Sequence, residues 1–257
     1  MKETFVRESA KVELNNPVLI EGLPGLGLVG KIAIRFLAKQ LKAEKLAYLY
    51  SPHFPYFVLV GKKGSVRLLR GVFYFWKNPK SKQDLILFTG DSQAQTIEGQ
   101  YEISEQIVEF AKGHGAETIV TIGGYRVEVK DKPKVIAAAT SEKLLNKALE
   151  SSAVLSSQDS PIVGTAGLIL GLAHMKRIEA LCLLGETLGY LPDPNATRSV
   201  LEVLGKLLGL ELDLAGLEEE IAKAEKMVTR LKTIEEKRVS QAEEVRKEEE
   251  KKVTYIS

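Results

Sequence analysis

Short, uninterrupted apolar runs alternate along the chain with segments of helical period. Val18-Leu19-Ile20 feeds the turn Gly22-Leu23-Pro24-Gly25-Leu26-Gly27, and an amphipathic segment follows from Leu28 to Leu41. Leu46–Tyr50, Asp84–Thr89, Glu117–Ile122, Val135–Thr140 and Ile178–Leu184 have the length and apolar content of buried strands. Between and after them, Thr96–Lys112, Ser141–Leu149, Gly164–Met175 and Pro194–Leu208 read as helices. The last has its boundaries written into it: Asp193 is a good N-cap, Pro194 suits the first helical position, and Gly209 ends the run. Phe57–Val60 and Val66–Trp76 flank Gly61-Lys62-Lys63-Gly64 as a hairpin, with Arg67, Leu68, Arg70, Val72 and Tyr74 suggesting one partly wet face. Strands alternating with helices predict an α/β fold, a three-layer αβα sandwich, and the hairpin makes its sheet mixed.

From about Asp213 the pattern changes. Proline is absent, Gly216 is the last glycine, and Leu217, Ile221, Ala224, Val228 and Leu231 step by four, three, four and three. That is a narrow apolar seam on a helix. The chain therefore divides into an α/β core, residues 1–212, and a C-terminal helical arm and tail, residues 213–257. A helix from Leu217 to the end of the charged run at Lys252 extends about 50 Å. Its seam, with Leu217, Ile221, Val228 and Leu231, is expected to pack in a homo-oligomer or back on the core. The last apolar cluster, Val253, Tyr255 and Ile256, follows a run of charges from Arg246 to Lys252.

Charge and composition narrow the possible functions. The chain has 257 residues, 44% of them hydrophobic, with a net charge of +2. This gives no global electrostatic case for nucleic acid or an anionic membrane. The longest apolar stretch, Pro161–Ala173, is too short to span a bilayer. Met1–Lys11 is charged and lacks the apolar region of a signal peptide. Cys182, the one cysteine, lies in an apolar run and cannot form a disulfide within the chain, which fits a cytoplasmic location.

The glycine turn imitates two nucleotide motifs. Gly25, Gly27 and Gly30 match G-x-G-x-x-G, and Gly25 to Lys31 matches G-x-x-x-x-G-K. Ile32 follows the lysine and has no oxygen for Mg²⁺, while Ser51 ends the second strand where a dinucleotide fold needs a carboxylate. The glycines are expected to be architectural, with no ATP, GTP, NAD or other cofactor. Ser92, in Gly90-Asp91-Ser92-Gln93-Ala94, resembles a nucleophile elbow without its final glycine, and Asp159 and His174 follow in hydrolase order. Glu186 and Asp193 are candidate paired carboxylates at the sheet edge. His53, His114 and His174 are scattered and suggest no metal site.

Taken together, Gly22-Leu23-Pro24-Gly25-Leu26-Gly27-Leu28-Val29-Gly30, Gly90-Asp91-Ser92-Gln93 and Gly185-Glu186-Thr187-Leu188-Gly189-Tyr190-Leu191-Pro192-Asp193-Pro194 resemble the proteasome assembly chaperone family, archaeal branch. The resemblance covers roughly Pro17 to Leu208. It implies an α/β fold similar to nucleoside phosphorylases, no established catalytic role, and oligomers that engage the proteasome α-ring. Family relatives and proteasome activators often dock through a C-terminal hydrophobic-tyrosine-any tripeptide. Here Tyr255 stands third from the end and Ile256 is penultimate. The resemblance implies that Val253, Tyr255, Ile256 and Ser257 bind a partner, either the α-ring or a related assembly factor. Two enzyme readings compete with this non-enzymatic one. A nucleoside phosphorylase needs an arginine cluster near a glycine turn, where the sequence offers only Lys31. A serine hydrolase needs Ser92 within reach of a histidine.

Overall fold

The computed structural model describes residues 1–81, 83–129, 131–226 and 229. Its strands are β1 (Phe5–Glu8), β2 (Val18–Glu21), β3 (Glu44–Tyr50), β4 (Val58–Val60), β5 (Val66–Leu68) and β6 (Gly71–Trp76). They continue with β7 (Leu85–Gly90), β8 (Thr118–Arg126), β9 (Val135–Ala139), β10 (Val154–Leu155) and β11 (Glu179–Thr187). The helices are α1 (Val29–Gln40), α2 (Ile97–Gly113), α3 (Glu142–Glu150), α4 (Thr165–Met175) and α5 (Pro194–Leu208). Residues 217–226 are also helical.

One mixed sheet runs in the order β1-β3-β6-β7-β2-β8-β11-β9-β10, while β4 and β5 form a separate two-stranded ribbon. The central strands β7, β2, β8 and β11 are parallel, and antiparallel pairs flank them on both sides. Helices α1, α3 and α5 cover one face, over Ile20, Leu87, Val120 and Leu183. Helices α2 and α4 cover the other, over Leu19, Ile86, Ile119 and Ala180. Leu19 and Ile20 are adjacent in sequence yet belong to opposite cores, because side chains alternate across a strand. Strands buried on both faces read as continuous apolar runs. The result is the three-layer α/β sandwich with a mixed sheet that the pattern predicts.

Three local differences have physical causes. Val66–Trp76 is not one strand: Asp91 accepts the Arg70 backbone N–H at 3.0 Å and binds the Arg67 guanidinium at 2.6 and 3.0 Å. The ladder donor at Arg70 is thus given to a side chain, and the chain turns from β5 into β6. Strand β1 goes unannounced because it is an edge strand whose residues are exposed or half-buried. Strand β10 has only two residues, both exposed.

Of the C-terminal seam, Leu217, Ile221 and Ala224 are buried in the same core as Phe36 and Leu201. Glu220 binds Arg35 Nε at 3.1 Å, Glu219 pairs with Lys39, and Glu218 lies 3.6 Å from Arg198. Val228 and Leu231, like the tail residues Val253, Tyr255, Ile256 and Ser257, lie outside the described residues. Leu217 is fully buried, so Leu217→Ala is expected to cost about 3 kcal/mol in transfer and cavity terms. Urea denaturation checks this, and unchanged stability would mean the helix is not held by its apolar side.

Candidate functional site

The C-terminal ends of the central strands bring together three stretches that are far apart in the chain. Gly27 N–H donates to the Gly189 carbonyl at 3.3 Å, and Asp193 N–H donates to the Gly27 carbonyl at 2.9 Å. Gln93 Nε2 donates to the Pro24 carbonyl at 2.7 Å. Gly27 has φ +60°, and a Cβ there would stand 2.8 Å from Thr187 Oγ1. The glycine turn is therefore packed against the 187–193 loop, where a phosphate-binding loop would be open to its ligand.

The polar side chains of this edge are engaged in holding it. Asp193 accepts from the Ala196 N–H at 2.9 Å, capping α5, and from Thr187 Oγ1 at 2.7 Å. Glu186 accepts from the Lys134 N–H at 2.9 Å, so the two carboxylates serve different loops. Ser92 Oγ donates to the neighbouring Gln93 carbonyl at 2.9 Å. Gln93 lies near Thr165 at the start of α4, whereas His174 is exposed near that helix's other end and Asp159 is exposed on a loop. The hydrolase-order trio is not assembled. His53 is held between Glu102, at 3.1 Å, and Thr96, at 2.9 Å. Cys182 is fully buried, and burial pushes its thiol up to about 12. The edge offers an apolar cluster to solvent, the exposed Leu188, Tyr190 and Leu191, beside the exposed Arg126, whose guanidinium lies 5.0 Å over the Tyr190 ring.

A second place collects charge. Between α1, the β4–β5 ribbon and the helix at 217–226 lies a cleft of about 1200 Å³. Among the described residues, eight Lys and Arg side chains line it against two carboxylates, Asp91 and Glu220. Lys31 forms part of its floor and is only 4% exposed. Burial pushes the Lys31 ammonium down to about 8, opposed by Asp91 and assisted by Arg35 and Arg67. Burial also acts to raise the Asp91 carboxyl, but Arg67, the Arg70 N–H and Lys31 together hold it below the usual carboxylate range. The Arg70 guanidinium stacks 4.0 Å over Tyr48.

A model described as the PAC2 family matches residues 19–232. The chain belongs to the PAC2 family. It is similar to an uncharacterized protein of Methanocaldococcus jannaschii, 36% identical over 95% of this chain and 94% of that one. Among solved structures, Pyrococcus furiosus PbaB, an archaeal proteasome activator, superposes with a TM-score of 0.81 and 38% identity. The match covers 90% of this chain and all of that one. Pyrococcus furiosus PbaA, an archaeal homolog of proteasome-assembly chaperone, gives 0.74 and 31% identity over 91% and 99%.

In this PAC2 protein the three quoted blocks form one interlocked edge, while Lys31 faces away from it into the cationic cleft. That cleft is what sequence reasoning missed. It draws on α1, β3, β5, the β5–β6 connection and the C-terminal helix, so no single stretch of sequence displays it. A partial signal existed in α1, where Lys31, Arg35 and Lys39 recur every four residues and share one helical face.

Proposed function

We propose that this PAC2 protein is a non-enzymatic, chaperone-like adaptor of the proteasome. It acts as a homo-oligomer and docks on the α-ring, or on a related assembly factor, through Val253, Tyr255, Ile256 and Ser257. The reading is carried by one observation, the similarity to PbaB, an archaeal proteasome activator, at 38% identity over 90% of this chain. It is supported by an edge whose carboxylates, Glu186 and Asp193, are tied into the architecture and which exposes the apolar cluster Leu188, Tyr190 and Leu191. Several tails acting from one oligomer raise the effective concentration of each, so a weak single contact suffices.

Purified archaeal core proteasome captured on a sensor surface tests this directly. The full chain is expected to bind. Tyr255→Ala is expected to weaken capture by about 10- to 100-fold, since a buried large side chain contributes about 1.5–3 kcal/mol. Lys251→Ala is expected to change it little. Equal effects of the two substitutions would overturn the docking tail, and failure of the full chain to bind would overturn the proteasome partner.

A further inference from the structure

The cationic cleft shares only Gly90 and Asp91 with the interlocked edge, and the proposed docking tail does not account for it. Its charge is locally concentrated: eight cationic side chains line one cleft of a chain whose net charge is only +2. The cations lie along both sides. Arg35 and Lys39 of α1 and Lys223 of the C-terminal helix stand on one side, with Lys45, Arg67 and Arg70 on the other. Four are already committed to carboxylates, Arg67 to Asp91, Arg35 to Glu220, Lys39 to Glu219 and Lys223 to both Glu219 and Glu220. These pairs fix the walls and leave a surplus of positive charge facing the opening.

The ribbon adds a second chemistry. Cross-strand pairs Val58 with Leu68 and Val60 with Val66 place four apolar side chains on one face of β4–β5. Val60 and Val66 are 70% and 67% exposed, and Tyr56, just before the ribbon, is 81% exposed. Val58, Val60 and Val66 also contribute to the wall of the cleft. Among the described residues the ribbon has no third strand, and an open strand edge can take a further one. A cleft of this size exceeds what a single phosphate fills, and its charges are distributed rather than focused on one point. The pattern matches a chain with carboxylates at intervals and apolar side chains between them.

We infer that the cleft between α1, the β4–β5 ribbon and the helix at 217–226 binds an extended acidic segment of a partner protein, its carboxylates on the cationic walls and its apolar residues against the ribbon. The site is independent of the tail at residues 253–257, so the two can succeed or fail separately.

Fluorescence anisotropy on the full chain tests it, with a fluorescein-labelled dodecapeptide of alternating Glu and Leu as probe. Binding is expected, weakening steeply with added NaCl. The same peptide with Gln in place of Glu is expected to bind about tenfold or more weakly. Lys45→Glu with Lys226→Glu, both exposed on the rim, is expected to produce a similar loss while the melting temperature stays at the parent value. Val60→Asp tests the ribbon wall and is expected to repel the peptide. Tyr255→Ala is expected to leave peptide binding unchanged, which separates this site from the tail. Equal binding of the Gln peptide, or no effect of the rim reversal, overturns the proposal. So does displacement of the peptide by ATP or inorganic phosphate at equal concentration, which would assign the cleft to a small anion.

Discussion

Gly30→Ala is expected to destabilise the fold severely, although the same exchange in most helices stabilises. In an unobstructed helix interior, alanine gains about 0.5–1 kcal/mol over glycine. Gly30 sits where α1 crosses the sheet. A Cβ added there would fall on the Ile122 carbonyl oxygen of β8 and stand 2.9 Å from Gly22 Cα. Both neighbours are backbone, so no rotamer change relieves the overlap, and α1 has to move off the sheet. That displacement would also pull apart the contacts of Gly27 with Gly189 and Asp193. The cost should therefore exceed the roughly 1–3 kcal/mol usual for overpacking. Gly171 in α4 is the internal control, since a Cβ there meets nothing within 4 Å. Urea denaturation should place Gly171→Ala at or above the parent and Gly30→Ala far below it. Equal stability of the two variants would mean that the glycine turn has no architectural role.

That contrast shows how much of the molecule could be read in its sequence. Period and length identify the central strands and helices α1 to α5 because those segments are buried on one or two faces, and burial leaves a pattern. Asp193 and Pro194 mark the start of α5 because a cap and a fixed φ are local properties. The three blocks around Gly22, Gly90 and Gly185 are also visible, yet nothing local reveals that they meet. Gly27 meets Gly189 and Asp193 through backbone hydrogen bonds that any residue type can supply, and the Gln93 side chain finds the Pro24 carbonyl only in the folded chain. The break between β5 and β6 is hidden for a related reason: it depends on Asp91, more than twenty residues from Arg67 and Arg70. Edge strands β1 and β10 bury too little to show a period. The seam beginning at Leu217 is recognisable as apolar, but its first partners, α1 and α5, are set by the tertiary fold.

Glu21 is another group whose character only the fold reveals. It ends β2 and is 1% exposed. One carboxyl oxygen accepts the Leu23 N–H at 2.8 Å, and the other has no hydrogen-bond partner among the described residues. Burial raises its pKa from 4.5 to about 8, against the opposing effect of the Leu23 N–H. At pH 4.5 and below, the folded and unfolded chains both hold this proton. Between 4.5 and about 8 the folded chain keeps it while the unfolded chain releases it, so stability falls as pH rises. The slope is about 1.4 kcal/mol per pH unit, reaching about 4–5 kcal/mol across the window. Lys31 acts in the opposite sense and in a different range. Its folded value is lowered to about 8 from 10.5, so its contribution rises only above pH 8. Urea denaturation between pH 5 and 8 therefore isolates Glu21. The parent chain is expected to lose stability steadily over that range, and Glu21→Gln, which carries no ionisable proton, is expected to remove most of the slope. Parallel slopes for the two proteins would show that the Glu21 carboxyl is solvated or paired in the folded chain, and that its burial is not what sets the pH dependence.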